Sequence, residues 1–459
     1  MSAMETTTHR HAVVVGASIA GVLAAHTLAE RFERVTLIDR DSMPPGPQGR
    51  PGVPQGRHTH GLLAQGRAAI EEMVPGTTED LVVQGALLRD AQAEGRWHLA
   101  GGPLAAGASA LPMLLVSRPR LEWYLRQRLT ARPGVDVLEQ TAVLDLAFSA
   151  DERRVVGVVV RDRDGGEGRL VAADLVVDAS GRTSRTPEWL GRRGYPVPDE
   201  EVRRVDKNSV TRVFRADPAR RRPAAIAVSA RPDLPRGGVM LAQERGRLTV
   251  TLAGCHGDRV PLTLPEFLDW ARSLASTELA EAIEGLAPLD DGAVYRFPAN
   301  RRRGYEHLRD FPERLVVTGD ALCSFDPVFG QGMTVAALEA LELGRSLDEG
   351  LAGLARRFHA RAAVHIDTPW LIAAGGTPPD GGRISLGERL AGRYLAALQR
   401  AAVSDPVLAE AFLRVSHLVD RPRELMRPGR AVRVLAGSLR SRRRPGEARR
   451  LPVVAAPAP

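Results

Sequence analysis

A chain of 459 residues, 44% of them hydrophobic, has the material for two or three packed domains. No apolar run is long enough to span a bilayer, the N-terminus MSAMETTTHRH lacks an apolar signal core, and Cys255 and Cys323 are too few for a disulfide framework; a cytoplasmic enzyme is expected. The net charge of +8 comes from arginines interleaved with acids outside short runs such as 301–303 and 442–444, and Lys207 is the only lysine, so the pattern argues against a nucleic-acid partner and for an anionic cofactor.

The chain opens on a nucleotide-binding pattern. Ala12 to Val15 reads as a strand, followed by Gly16-Ala17-Ser18-Ile19-Ala20-Gly21 and a helix through Ala29. This is a dinucleotide turn with serine at the second glycine position. A second strand, Val35 to Ile38, ends in Asp39, an acid able to accept both hydroxyls of an adenosine ribose and to repel a 2′-phosphate. The pyrophosphate is expected over the helix start near Ser18 and Gly21, where free N–H groups point outward. Arg40 to Gly61 is a loop rich in proline and glycine, ending in GVPQGRHTHG, with Arg57 near the pyrophosphate just before a helix from about Gly61. His58 and His60 lie two apart without further ligands, so no metal site is expected. Ser117 is placed to cap a helix over Leu121 to Leu129, and Arg118 faces the cofactor if that helix end abuts the sheet.

From Val135 to Val177 the pattern switches to period two, a three-stranded meander leading into a buried strand that ends at Asp178. Val143, on the first of those strands, is expected to cover the adenine. DASGRTSRTPEWL then repeats the logic of an acid at a strand end, Gly181, and a helix from about Ser184. Residues 196–310 hold several β-like runs and one helix, Leu264 to Leu274, which read as an inserted antiparallel sheet.

Leu315 to Thr318 is a short buried strand with Gly319 and Asp320 at its carboxyl end. A loop containing Pro327 follows, then Gly330-Gln331-Gly332, and then a helix with Met333, Ala337, Leu341 and Gly344 on one packing face. An acid for a hydroxyl-bearing chain, a close backbone for a ring and a dipole for an anion together describe a flavin site. After Leu347 the chain is helical to about Val415, with breaks at Pro369 and over Gly375 to Gly382, and the tail from Ser441 is expected to be disordered. The expected fold is α/β: a Rossmann-like FAD-binding domain over 10–195 and 311–367, an antiparallel substrate domain over 196–310, and a C-terminal helical region over 368–440.

Three of these motifs carry a resemblance. Gly16-x-Ser18-x-x-Gly21 with Asp39, Asp178-Ala-Ser-Gly-Arg, and Gly319-Asp320 with Pro327 and Gly330-Gln-Gly332 resemble the motifs of para-hydroxybenzoate-hydroxylase-type FAD monooxygenases. Within that group, GVPQGRHTHGLL, VSRPRLE and DASGRTSRTPEWL resemble flavoprotein epoxidases of bacterial polyether and polyketide biosynthesis and their actinobacterial relatives. The resemblance implies FAD contacts from Gly16, Ser18, Gly21, Asp39 and Arg40 at the adenosine end. It implies them from Arg57, Arg118 and Val143, and from Gly319, Asp320, Pro327, Gly330, Gly332 and Met333 at the flavin end. It does not assign a catalytic residue. It also implies NADH, NADPH or a flavin reductase as electron donor, dioxygen as co-substrate and a flavin hydroperoxide as oxidant. The expected substrate is a small hydrophobic, polyketide-like secondary metabolite that is epoxidised or hydroxylated. The DASGRTSR wording departs from the hydroxylase DG form, which bears on nicotinamide docking at Asp178. An FAD-containing non-redox cyclase is the alternative, and an isoprenoid alkene reductase, from the likeness of Tyr295-Arg296-Phe297-Pro298 to a prenyl-reductase box lacking its tryptophan, is a third.

Overall fold

The computed structural model describes residues 9–442 apart from 232, 376–381 and 384. Five short strands rich in valine, leucine and isoleucine form a parallel sheet in the order Leu315–Val317, Leu175–Asp178, His9–Val15, Phe32–Ile38 and Val135–Leu138. Its strands read as continuous apolar runs because both faces are covered, as parallel sheets require. The helices Ile19–Leu28, Arg118–Thr130 and Gly332–Leu347 pack into one core with it. The three-stranded meander, Thr141–Phe148, Val155–Asp162 and Arg169–Ala172, joins the same core. The run from Val135 is therefore split. Its first four residues enter the parallel sheet, the chain reverses at Gln140 with φ +52°, and only then does the meander begin.

The second sheet has eight strands and is antiparallel except where Ala225–Val228 pairs with Gly95–Leu99. Its longest strands, Glu200–Arg215 and Ala293–Arg303, pair near one edge. It does not come from 196–310 alone: Gly95–Leu99 and Gly102–Pro103 extend one edge, and Cys323–Ser324, from the loop after Asp320, extends the other. The loop after Asp320 is thus hydrogen-bonded directly into the second sheet. On the other side of that sheet, Leu264–Arg272 and a helix not foreseen, Glu278–Ile283, form a core with Phe214, Ile226 and Leu252.

The C-terminal region differs from expectation in three places. Pro369 lies inside the helix Leu354–Ala374, which crosses the expected domain boundary at 367/368 without a break. Helical structure continues past Val415 into Pro428–Arg442, so the chain is still helical at Ser441. The remaining tail, 443–459, and most of the 375–382 loop lie outside the described residues.

Gly21 makes the tightest contact between sheet and helix. A Cβ there would stand 1.7 Å from the Gly16 carbonyl oxygen. No side chain moves to relieve a clash with backbone. Gly21→Ala is expected to cost about 3 kcal/mol or more; chemical denaturation of the purified variant measures this, and a loss under about 1 kcal/mol refutes the packing.

Candidate flavin site

The carboxyl ends of the parallel strands open onto a cleft of about 490 Å³, within the range of small-molecule sites. Twelve of the fourteen residues expected to touch the cofactor line it: Gly16, Ser18, Asp39, Arg40, Arg118, Val143, Gly319, Asp320, Pro327, Gly330, Gly332 and Met333. Gly21 acts one layer behind, letting the helix approach its strand. Arg57 is exposed and away from the cleft; it lies on the 3-10 turn Pro54–Arg57, with its side chain in solvent.

The arginine that the Pro/Gly loop delivers is instead Arg50. It is buried and lines the cleft, with Nη1 3.0 Å from both Asp39 and Asp41 and Nε 3.1 Å from Glu122. Burial alone disfavours its charge, yet Glu122, Asp39 and Asp41 outweigh that and raise its pKa. Asp39 is itself pinned: Oδ2 accepts from the Ala17 N–H at 2.7 Å and Oδ1 from the Asp41 N–H at 2.9 Å. The acid is presented at a fixed height beside the glycine turn. Sequence position pointed to Arg57 because it adjoins the next helix. Only the folded path of the loop reveals that Arg50 turns inward.

Ser18, at the second glycine position, accepts a hydrogen bond from Arg118 Nη2 at 2.8 Å. The substitution therefore ties the dinucleotide turn to the start of Arg118–Thr130. Ser117 is the N-cap residue of that helix by position, but its side chain bonds to Glu244 rather than to a helix N–H. Glu244 belongs to the second sheet's Gln243–Arg247 turn and also pairs with Arg120 at 3.3 Å.

Asp178 is 1% exposed and accepts from the Ser180 N–H, Ser180 Oγ, Ser184 Oγ and Thr186 Oγ1. With these bonds its carboxylate organises its own loop. Residues of that loop, Ser180 to Thr183, line the cleft.

At the opposite end, the helix Gly332–Leu347 points its amino end into the cleft. No acid occupies its first turn, so the dipole there is uncompensated. The expectation of one packing face is too narrow: it packs against Ile19–Leu28, Ala64–Met73 and Leu354–Ala374 and is buried nearly all round. Of its residues Gly332 and Arg345 are exposed, and a Cβ built on Gly332 meets nothing within 4 Å, so its side-chain direction is open space. Beside it Gln331, which lines the cleft, has its Oε1 buried without a hydrogen-bond partner. An orphaned amide oxygen, an open glycine and an uncompensated helix start fit a flat, polar, anionic group.

Asp320 faces the cleft at the end of Leu315–Val317. Burial pushes its carboxyl up, and the guanidinium groups of Arg118 and Arg182 counter that. Behind it lies an acid that sequence reasoning missed. Glu339, fully buried, accepts from Thr318 Oγ1 at 2.7 Å and the Gly319 N–H at 2.6 Å. Burial pushes its pKa up to about 7, against the pull of those two donors. A glutamate in a helix otherwise apolar on that side was the available signal.

Another part of the lining belongs to the second, eight-stranded sheet. Tyr295 and Phe297, two apart on one strand, line the cleft with Phe325 and His60. Burial pushes the Tyr295 phenol up, so it remains protonated at neutral pH. Burial pushes His60 and His58 down to about 3 and about 4, so both are neutral. His58 Nδ1 sits 2.6 Å from Thr211 Oγ1 and its ring centroid 5.0 Å from that of Tyr295. Asp326, also on the cleft, is paired with Lys207. Among the described residues no cluster of His, Cys, Asp and Glu could hold a metal ion.

Fold and cleft define an FAD-dependent oxidoreductase, and the comparisons agree. Residues 10–361 match the FAD binding domain family, so the chain belongs to that family, the p-hydroxybenzoate-hydroxylase-type flavin monooxygenases. Protein Rv3254 of Mycobacterium tuberculosis is 34% identical over 426 residues, 89% of this chain and 90% of that protein. Kynurenine 3-monooxygenase of Salinispora tropica is 26% identical over 348 residues, 73% of this chain and 72% of its own. A flavoprotein/dehydrogenase from Cytophaga hutchinsonii superposes with a TM-score of 0.66 at 16% identity, covering 94% of this chain and 99% of that one.

Two outcomes test the site. Gly332→Val adds a side chain only to open space, so the apo-protein should melt within about 2 °C of wild type, while flavin occupancy after reconstitution falls below about a tenth. Full occupancy with an unchanged flavin spectrum refutes the placement. Glu339 is held neutral in the fold up to about pH 7 but titrates near 4.5 when unfolded. Between those values the folded state binds the extra proton, so its stabilising contribution is complete below 4.5 and lost as pH rises through 7. The loss amounts to about 3 kcal/mol. Unfolding free energies measured across that range should decline in wild type and lose this decline in Glu339→Gln.

Proposed function

We propose that the protein is an FAD-dependent monooxygenase that oxygenates a hydrophobic, polyketide-like substrate, with epoxidation of an alkene favoured over hydroxylation of a phenol. The observation that carries this is the make-up of the wall facing Gly332. It is aromatic, and Tyr295 and His60 on it are both neutral; the charged group beside it is Arg182, a cation over the Phe297 ring at 4.6 Å and not a base. A phenol must be deprotonated to become reactive, and His60, with a pKa near 3, is a poor base. Asp326 is committed to Lys207. An alkene needs no proton removed.

Bound FAD supplies oxygen activation from a reduced nicotinamide or a flavin reductase together with dioxygen. The chain's own residues bind, orient and exclude water. Asp39 would accept ribose hydroxyls and Asp320 ribityl hydroxyls. The amino end of Gly332–Leu347 favours negative charge beside it. Tyr295, Phe297 and Phe325 supply an apolar surface that keeps water from the reacting centre, and the protonated Tyr295 hydroxyl can donate a hydrogen bond to a substrate oxygen.

The reading competes with a cyclase in which FAD takes no redox part. Holoenzyme supplied with NADH or NADPH, or with a flavin reductase, is tested on a panel of apolar alkenes and phenols under isotopically labelled dioxygen. Labelled oxygen in alkene products is the expected result. Product formed equally well without oxygen, or with deazaflavin in place of FAD, overturns the oxygenase in favour of the cyclase.

A further inference from the structure

The helix Leu386–Ala402 has an apolar stripe at four-residue spacing: Leu386, Leu390, Tyr394 and Leu398. Leu398 is fully buried in the C-terminal core. Tyr394 is half buried and donates its hydroxyl to the Leu425 carbonyl at 2.7 Å. Leu390 and Leu386 are then 56% and 64% exposed. The stripe outruns by two turns the described elements that cover it.

The helix Pro428–Arg442 lies alongside, with Gly437 packed against Ala401 and Val434 buried. Its other side leaves Val432 and Leu435 exposed at 65% and 66%. Arginines stand among these residues. Arg389 and Arg393 are exposed and have no carboxylate partner among the described residues. Pro428–Arg442 carries four arginines and no acid, although Arg433 reaches Asp405 at 2.9 Å. None of these residues lines the flavin cleft.

Charge selects the occupant. Residues 443–459 contain four arginines against one glutamate, so the chain's own tail brings like charge to a basic face. A second copy brings the same basic face. A nucleic acid would satisfy the arginines and leave the leucines in water. We propose that the exposed stripe of Leu386–Ala402 docks on an anionic lipid bilayer, with Leu386 and Leu390 at the headgroup–acyl boundary and Arg389 and Arg393 on lipid phosphates. The attachment is interfacial, since no helix among the described residues is long and apolar enough to cross a membrane. It rests on no assumption about the reaction in the cleft.

The full-length flavoprotein is sedimented with vesicles of equal parts phosphatidylglycerol and phosphatidylcholine, and with vesicles of phosphatidylcholine alone, at about 0.1 M and about 0.5 M salt. Partition into the anionic vesicles is expected, weakened about tenfold without phosphatidylglycerol or at the higher salt. Leu386→Glu with Leu390→Glu should weaken it about tenfold, with circular dichroism and flavin occupancy unchanged. Arg389→Glu with Arg393→Glu should remove the preference for anionic lipid. Absence of lipid-dependent partition in wild type, or wild-type partition in both variants, overturns the proposal. So does a dimer in sedimentation equilibrium that the leucine variant dissolves.

Discussion

A buried acid, Glu339, sets the relation on which the site depends. It sits two turns into the helix Gly332–Leu347 and reaches back to the Thr318 hydroxyl and the Gly319 N–H at the end of Leu315–Val317. One carboxyl therefore holds the helix start, with Gly332 and its free N–H groups, at a fixed distance from Asp320. The arrangement is costly: Oε1 of the same group is buried without a partner. Such a cost persists where geometry matters more than stability. Asp39 is held by the same logic, since Arg50 and two backbone N–H groups fix its height beside the glycine turn.

The cleft lies between two sheets, and its shape depends on how they are latched. Cys323–Ser324 pairs with Ala293–Arg303 and so carries the segment between Asp320 and Pro327 into the eight-stranded sheet. Asn300, fully buried, accepts from the Asp326 N–H at 2.6 Å and donates to the Ala373 carbonyl at 3.0 Å, joining three elements. Lys207 follows a register shift after Arg204 and pairs with Asp326; bulges of this kind re-aim side chains near functional sites. Ser117 and Arg120 meet Glu244 at another point of contact. Buried pairs of this type add little net stability but specify one arrangement over others. The aromatic wall is consequently held opposite Gly332 by polar contacts spread over residues far apart in the chain.

Local chemistry made much of this legible in advance. A glycine turn between strand and helix, an acid at a strand end and a Gly-Gln-Gly step before a helix each follow from backbone requirements confined to a few residues. Twelve expected cofactor residues therefore line one cleft. Arg57 failed because adjacency in sequence stood in for direction in space; within a loop of prolines and glycines, the side chain that turns inward is decided by contacts with Asp41 and Glu122. Pro369 failed for the opposite reason, since packing of Leu354–Ala374 on the core overrides a local breaker.

By itself, the sequence determined the cofactor class, the α/β architecture and the two acids that line the cleft, because each is encoded by short-range rules of turn, strand and helix. The tertiary structure alone decided that Arg50 turns inward to support Asp39, that Glu339 fixes Asp320 against Gly332, and that Tyr295 and Phe297 line the cleft from the second sheet. Those relations join residues tens to hundreds of positions apart. No periodicity or motif records them, since the side chains involved are selected by what they meet after the two sheets have closed on each other.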